Sequence, residues 1–313
     1  MIDLLTVGET MGALRADRPL QVGTEMRLSI AGAESNVAIG AARLGHRVRW
    51  AGVVGADQPG TLIVRTLRAE GIDAAVRVAD APTGLILFEQ RLADITRVSY
   101  HRAHSAGSRL RPEDVEAAFD PVPGLLHLTG ITPALGRDPA AAVEHAIALA
   151  RMHSVPVCLD VNYRARLWDP AAAAAVLRPL AAHADILVAS DDELELVARA
   201  ADDTLEARIS ALLEAGVREV VVKRGSAGAS LHTASSTHEQ AAYPVTAVDS
   251  VGAGDAFVAG YLSGVLDGLD PAARLDRAVC LGAFAVASHG DWEGLPTRAD
   301  LPLIQAGAGT AVR

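Results

Sequence analysis

The chain has 313 residues, half of them hydrophobic and only 4% aromatic, so its core is expected to consist mainly of Ala, Val, Leu and Ile. A formal net charge of −10 argues against a nucleic-acid or anionic-membrane surface, since both favour basic patches. Cys158 and Cys280 lie in apolar runs and are interpreted as buried free thiols of a reducing compartment. No basic leader and no long uncharged apolar run is present, which predicts a cytoplasmic protein.

Short β-branched runs alternate with Ala-rich helical stretches along most of the chain. This order predicts one domain, 1–313, with a mostly parallel sheet covered by helices on both faces. The predicted strands are 4–7, 48–54, 125–128, 155–159, 186–188 and 220–222. The predicted helices are 34–44, 59–70, 139–153, 171–183, 205–215, 255–266 and 272–288.

Two segments interrupt this alternation and are strand-like without a helical period. They are about 13–31 and 73–104, the second with predicted strands at 75–78, 84–90 and 96–101. Together they predict a small second sheet that projects from the strand ends. Because ligands bind at the carboxyl ends of strands in open α/β folds, we expect this sheet to act as a lid over a ligand.

The most informative segment is DSVGAGD at 249–255, directly before a predicted helix. Gly252 and Gly254 leave backbone N–H groups uncovered at the positive end of a helix dipole, which predicts an anion site. An acid there would repel phosphate, and its presence makes chemical sense if Asp255 accepts a proton from an attacking hydroxyl. The alternative, an N-cap Asp255 behind ordinary turn glycines, is disfavoured by the full spacing from Asp249 onward.

The same segment resembles the C-terminal signature of the ribokinase-like (PfkB) carbohydrate kinases, and the resemblance covers nearly the whole chain. GAESNVA at 32–38 with RLG at 43–45 is similar to the family's first glycine-rich signature, and GVVGAD at 52–57 to its continuation. Segments that resemble the 2-keto-3-deoxygluconate kinase group are SAGS at 105–108, GITPAL at 130–135, DVNYR at 160–164 and GDWEGLP at 290–296. The resemblance implies a ribokinase-like three-layer α/β/α fold, with a mostly parallel central sheet and a small β-sheet lid.

On the phosphoryl side, the resemblance makes Asp255 the general base and gives Gly252, Ala253 and Gly254 a backbone hole for the γ-phosphoryl charge. It places Asn162, Tyr163 and Arg164 near the phosphates of ATP. The family's nucleotide loop is matched by Lys223, Arg224, Gly225, Ser226, Ala227, Gly228 and Ala229. Without the resemblance, Lys223 could equally well be a solvated residue at a strand end, and Gly225 and Gly228 could equally well belong to a plain hairpin turn.

On the sugar side, the resemblance has Tyr100 and Arg102 of the lid grip a keto acid, with Arg164 near the same acid. A planar guanidinium can bridge carboxylate and phosphate oxygens, although charged residues also occur on exposed edge strands for other reasons. The predicted substrate-binding residues are Gly32, Asn36, Tyr100, His101, Arg102, Arg164, Asp255 and Asp291.

Three departures from the family pattern fall on the sugar side. Ala31 replaces the first glycine of the usual pair, Ile86 stands where a Tyr is expected, and His101 stands where a second Tyr is common. They leave the identity of the sugar less certain than the type of reaction.

Ser190, Asp191, Asp192 and Glu193 occupy the place of the family's Asn-x-x-Glu element. The resemblance gives Glu193 a role in organising Mg²⁺ through water and puts Ser190 beside the nucleotide. The same spacing also fits a capping box, with Ser190 as N-cap and Glu193 at N3. A monovalent-cation requirement stays open, and association through the lid is expected from the resemblance.

The leading hypothesis is a kinase that transfers the γ-phosphoryl group of MgATP to 2-keto-3-deoxygluconate or its galactonate epimer. Two alternatives stay open: a kinase of the same family for a neutral sugar such as fructose or ribose, and a non-catalytic sugar or nucleotide sensor. Retention of Asp255 disfavours the sensor, which needs no base. A Rossmann dehydrogenase is excluded because no G-x-G-x-x-G follows the first strand.

Overall fold

The computed structural model describes residues 1–92, 95–200, 202 and 204–305. Its strands are β1 Leu4–Val7, β2 Met11–Ala16, β3 Arg27–Ala31, β4 Val48–Gly55, β5 Asp73–Ala79, β6 Leu85–Leu92, β7 Ile95–His101, β8 Leu125–Thr129, β9 Val157–Asp160, β10 Ile186–Ser190, β11 Glu219–Lys223, β12 Ala229–His232 and β13 Thr237–Gln240. Its helices are α1 Ala33–Arg43, α2 Gln58–Ala69, α3 Pro112–Ala118, α4 Arg137–Met152, α5 Pro170–Ala181, α6 Leu194–Val197, α7 Leu205–Glu214, α8 Ala253–Leu266 and α9 Pro271–Val286.

A nine-stranded sheet in the order β13-β12-β11-β10-β9-β8-β1-β4-β5 forms the middle layer of the described chain. The strands from β11 to β5 run parallel, and β12 and β13 add an antiparallel edge. One apolar core packs α3 to α7 on one face, and a second packs α1, α2, α8 and α9 on the other. The predicted α/β/α fold is confirmed.

Several helices begin where the sequence provides both a cap and a proline. The side chains of Asp57, Asp169 and Asp270 each accept a hydrogen bond from a backbone N–H in the first turn of α2, α5 and α9 respectively. A proline lies at the start of each of these helices, where its missing N–H costs no helical hydrogen bond.

None of the helices in the described part of the chain has both the length and the apolar character needed to cross a bilayer.

A second sheet, here called the lid, contains four strands in the order β3-β2-β6-β7. β2 pairs with β6 in parallel, and the other two pairings are antiparallel. Two residues of the segment predicted to form it, 93 and 94, lie outside the described residues. The sequence therefore placed a small sheet in the correct regions of the chain.

One part of the lid prediction is wrong. The strand expected at 75–78 is β5, which pairs in parallel with β4 at the edge of the central sheet. Its side chains contact the apolar cores on both faces, with Ala75 on one side and Val76 on the other. A strand that packs on both faces belongs between helical layers, whereas a lid strand packs on one face only.

Candidate active site

The carboxyl ends of the central strands and the inner face of the lid enclose a cavity of about 1140 Å³. It brings together residues that lie far apart in the sequence. The predicted site residues that line it are Gly32, Asn36, Tyr100, Arg102, Asn162, Tyr163, Arg164, Glu193, Lys223, Gly252, Gly254, Asp255 and Asp291.

Asp255 lies in the first turn of α8 and is 7% exposed. Asn36 donates its side-chain N–H to Oδ2 at 2.8 Å, and Asn162 donates to Oδ1 at 3.3 Å. Burial raises the pKa of this carboxyl, while the Asn36 hydrogen bond and the charge of Arg164 oppose the rise. The result is an oriented carboxylate at the cavity wall that is more basic than an ordinary aspartate.

The structure shows whether Asp255 caps α8. The N-cap of α8 is Gly252, and it makes no side-chain cap. The oxygens of Asp255 instead accept from the two asparagine side chains, which come from α1 and from the loop after β9. Asp255 is therefore not a helix cap.

The loop before Asp255 has a conformation that only glycine accepts at position 252. Gly252 has a φ of 77°, and a Cβ there would lie 2.2 Å from the carbonyl oxygen of Asp291. The side chain of Asp249 steadies the loop by accepting from the N–H of Val251 at 3.0 Å. A Cβ on Gly254 would meet only Lys223 Nζ, at 3.9 Å. The N–H of Ala253, a predicted donor, is engaged by the carbonyl oxygen of Ser250 at 3.3 Å. The turn around Gly252 and Gly254, here called the nest, has the geometry of an anion-binding helix start.

Lys223 ends β11 beside the nest, with Nζ 2.8 Å from Asp160 Oδ1 and 3.8 Å from Glu193 Oε2. Burial alone would lower the pKa of Lys223, but the charges of Asp160 and Glu193 raise it, so the ammonium stays charged. Asp160 is almost fully buried and was not singled out from the sequence, although it opens the DVNYR motif.

Glu193 is fixed by two backbone donors. The N–H of Tyr163 donates to Oε1 and that of Ser190 to Oε2, both at 2.8 Å. This is half of the predicted capping box. The other half, with the Ser190 hydroxyl accepting from the N–H of Glu193, is not formed in the described structure, because α6 begins only after Glu193. The Ser190 hydroxyl donates to Asp192 at 2.6 Å.

The residues present fit a magnesium ion that arrives with a nucleotide. Among the described residues no group of three or more His, Cys, Asp and Glu could hold a metal by itself. Mg²⁺ commonly keeps several waters and binds through substrate phosphates and one or two carboxylates. Glu193 is an oriented carboxylate of this kind, and Asn162 Oδ1 beside it is buried without a hydrogen-bond partner in the described structure.

Lys223 is the one residue of the predicted nucleotide loop in the cavity wall, and the rest of that loop follows β11 outside the wall. Gly228 has a φ of 93°, and a Cβ there would lie 2.0 Å from the carbonyl oxygen of Gln240, so the turn between β11 and β12 requires glycine. The predicted residues that do not line the cavity are His101, Ser190, Arg224, Gly225, Ser226, Ala227, Gly228, Ala229 and Ala253.

Arg102 follows β7 and points into the cavity, where it forms an ion pair with Glu9. The hydroxyl of Ser105 also donates to Glu9, which is almost fully buried. Glu9 therefore compensates the charge of Arg102, and nothing in the sequence indicated this pairing. Arg102 Nε is buried without a partner in the described structure, so one donor stays available to a ligand.

Arg164 differs from Arg102 because its charge is not compensated. It is exposed at the cavity wall, and its guanidinium donates to the carbonyl oxygen of Tyr163 at 3.2 Å. No carboxylate of the described residues lies within ion-pair distance of it. An anionic ligand can therefore pair with Arg164 without displacing a protein carboxylate.

Of the predicted sugar-side residues, one lies away from the cavity and another lines it while bound to the lid. His101 does not line the cavity, because strand alternation turns its side chain away from the face that carries Tyr100. Asp291 lines the cavity, but its carboxylate accepts a hydrogen bond from Arg15 of the lid. Ile86, which stands where a Tyr was expected, lines the cavity as an apolar surface.

Asn36→Ala is expected to move the acid limb of the kcat/KM profile to higher pH. The Asn36 hydrogen bond favours the charged form of Asp255, so its loss adds to the burial that already raises the pKa of this carboxyl. Under the sequence-based hypothesis that Asp255 is a general base, it works unprotonated, so activity is expected to fall as pH decreases through that pKa. The profile is measured from ADP release with saturating ATP.

Asn162→Ala is the matched comparison for this shift. Its amide is farther from Asp255, at 3.3 Å, and also donates to Asp160 at 3.1 Å, so a smaller displacement of the limb is expected. An acid limb that stays in place or moves to lower pH in Asn36→Ala would contradict the role given to this hydrogen bond.

Comparison with known proteins gives consistent matches. A family model described as pfkB family carbohydrate kinase matches residues 1–298. The chain is 36% identical to 2-dehydro-3-deoxygluconokinases of Bacillus subtilis (strain 168) and Thermoproteus tenax, with 96% and 95% of this chain and 94% and 92% of the relatives covered. The crystal structure of 2-dehydro-3-deoxygluconokinase from Thermotoga maritima matches with a TM-score of 0.88 and 25% identity over 98% of both chains.

Proposed function

The chain belongs to the pfkB family of carbohydrate kinases, and from this premise we propose that it phosphorylates a sugar acid with Asp255 as the general base. The phosphoryl donor is MgATP, and the proposed acceptor is a hydroxyl of 2-dehydro-3-deoxygluconate or its galactonate epimer. The observation that carries the proposal is a buried, hydrogen-bonded carboxylate beside a glycine nest, both at the wall of one cavity.

The proposed reaction is an in-line displacement at the γ-phosphorus. The sugar hydroxyl oxygen forms the new bond to phosphorus as the bond from phosphorus to the bridging oxygen breaks, and ADP leaves with that electron pair. The hydroxyl proton passes to the carboxylate of Asp255, which Asn36 and Asn162 hold in orientation.

Negative charge on the transferring group is stabilised by the backbone N–H groups of Gly252 and Gly254, since that of Ala253 is bonded to the carbonyl oxygen of Ser250. Lys223 adds a fixed positive charge close to Asp255 and the nest. When bound, Mg²⁺ neutralises charge on the phosphate oxygens, and Glu193 would hold it through water.

The sugar-acid preference is supported by two guanidinium groups at the cavity wall. Arg164 forms no ion pair with a described residue and can bind a carboxylate in the bidentate manner that arginine favours, while Arg102 can add its one unused donor, Nε. One observation favours a neutral sugar instead: Glu9 already neutralises Arg102 in this structure.

The double variant Glu9→Gln/Arg102→Met is expected to raise KM for acidic sugars and to change KM for neutral sugars little. A lost charge-assisted hydrogen bond costs about 1.5–3 kcal/mol, which corresponds to roughly a 10-fold to 100-fold change. The double variant is used because Arg102→Met alone would leave Glu9 buried and unpaired. Steady-state ADP release with an acidic and a neutral sugar measures both constants.

Arg91→Met is the control, since it removes a lid cation that pairs with Glu89 and does not line the cavity. Its KM values should match those of the unmodified enzyme. An equal loss for acidic and neutral sugars in the double variant, or no loss for either, would favour the neutral-sugar alternative.

The location of the protein and the association of its copies belong to the same proposal. Both cysteines are free and buried, which accords with a cytoplasmic, reducing location. Association of copies through the lid stays a prediction, and a monovalent-cation requirement stays open.

A further inference from the structure

Arg15 connects the lid to two acids of the main body. It lies on β2, and its Nη1 is 2.9 Å from Asp249 Oδ2. Its second amino group donates to Asp291 in the loop after α9. One guanidinium thus bridges two carboxylates that are separated by more than 40 positions in the sequence.

Both acids lie directly against the glycine nest. Asp249 accepts from the N–H of Val251 with the oxygen that Arg15 leaves free. The carbonyl oxygen of Asp291 is the atom that a Cβ at Gly252 would strike. Arg15 therefore holds the nest from two sides, through its side-chain contact with each acid.

The bridge is largely shielded from water. The Arg15 side chain is 12% exposed, and those of Asp249 and Asp291 are 13% and 8% exposed. The guanidinium also lies 3.7 Å from the ring centroid of Phe88, on the neighbouring lid strand β6. Buried ion pairs contribute little net stability but fix relative positions, because leaving one partner unpaired is costly.

We propose that Arg15 is a positioning residue that couples the lid to the nest. It keeps the 249–252 loop in its anion-binding conformation when the lid strand is in place, so that closure over a sugar and readiness for phosphoryl transfer are linked. The inference rests on the proposed role of the nest in binding the transferring phosphoryl group.

The bridge needs an arginine rather than any cation. Two carboxylates on different segments require two N–H groups that diverge in one plane, which guanidinium has and ammonium lacks. A lysine at position 15 would keep a positive charge on a flexible stem but hold one acid at a time.

Arg15→Ala and Arg15→Lys test the inference, with Arg27→Ala as the matched control. Arg27 is opposite Arg15 in register on β3, is exposed, and has no carboxylate within ion-pair distance among the described residues. We expect kcat to fall by roughly 10-fold to 100-fold in Arg15→Ala, because small misplacements of catalytic groups carry penalties of this size. KM for ATP should change less, and Arg27→Ala should retain the kcat of the unmodified enzyme.

Chemical rescue separates positioning from folding. Millimolar guanidinium chloride should restore part of the kcat of Arg15→Ala, whereas sodium chloride at the same ionic strength should not. Arg15→Lys should keep the Tm of the unmodified protein and still show a lowered kcat, which makes the test independent of whether Arg15→Ala folds.

Three results would overturn the inference: an unchanged kcat in Arg15→Lys, equal kcat values for Arg15→Ala and Arg27→Ala, or a folded Arg15→Ala whose kcat guanidinium leaves unchanged. Failure of the proposed function is a different result. It would appear as sugar turnover that survives Asp255→Asn in otherwise unmodified protein, measured in the same assay.

Discussion

Asp255→Asn is expected to lower kcat by roughly 10²-fold to 10⁴-fold, the usual contribution of a positioned general base. Asparagine keeps the size of the side chain but cannot accept the hydroxyl proton. The Kd for ATP should change little, because the nest and the nucleotide loop do not depend on this carboxylate for their conformation. ADP release gives kcat, and calorimetry gives the Kd of the same preparation.

Asp270→Asn is the matched control, since Asp270 also begins a helix and is exposed outside the cavity. Its carboxylate caps α9 by accepting from the N–H of Ala273 at 3.0 Å, a contact that asparagine can replace. It should retain kcat and Tm. Comparable turnover in Asp255→Asn and Asp270→Asn would remove Asp255 from the mechanism.

Gly252→Ala is expected to abolish most activity for a different reason. Its Cβ would enter a left-handed backbone conformation and lie 2.2 Å from the carbonyl oxygen of Asp291, so the loop must change shape. Loss of one preorganised donor typically costs about 10²-fold to 10³-fold in kcat. We also expect a lower Tm, because left-handed strain alone costs roughly 1–2 kcal/mol.

Two further glycine variants separate the effect of backbone strain on Tm from the effect of the nest conformation on kcat. Gly268 has a similar φ of 68° with open space around it, so Gly268→Ala should lower Tm through strain and leave kcat unchanged. Gly254→Ala meets only Lys223 Nζ at 3.9 Å, so it should retain Tm while placing a methyl group in the cavity wall. Full activity in Gly252→Ala would show that the nest conformation is not required.

Local patterns in the sequence were sufficient to predict the inner strands of the central sheet and the glycine requirement at position 252. Strands such as β1 and β8 are buried on both faces, so they appear as short apolar runs that flanking helices separate. The glycines at 252 and 254 with Asp255 carry their own conformational and chemical requirements, which hold wherever the rest of the chain lies.

Other features depend on pairings that no local pattern encodes. The strand β5 has the same β-branched character as the lid strands, and only its partner β4 places it in the central sheet. The hairpin of β12 and β13 was missed because each strand has only four residues and β13 is polar throughout, so neither gives a clear apolar run.

The ion pairs of the site could not be predicted either, because each joins residues that lie far apart in the sequence. Glu9 and Arg102 are 93 positions apart, and Arg15 and Asp291 are 276 apart, so nothing in the sequence joins them. Their contacts change the interpretation of the sugar side most. Glu9 neutralises the charge of Arg102, and Arg15 of the lid binds Asp291. Of these three predicted sugar-side residues, Arg164 is the one whose charged group forms no ion pair with a described residue.

The most direct measurement is ADP release by the purified protein with MgATP and a panel of sugars: 2-dehydro-3-deoxygluconate, its galactonate epimer, fructose and ribose. Turnover is expected with the two sugar acids at a kcat/KM well above that for either neutral sugar, and Asp255→Asn should lower its kcat by roughly 10²-fold to 10⁴-fold. Turnover confined to neutral sugars, or turnover that survives Asp255→Asn, would contradict the proposed function.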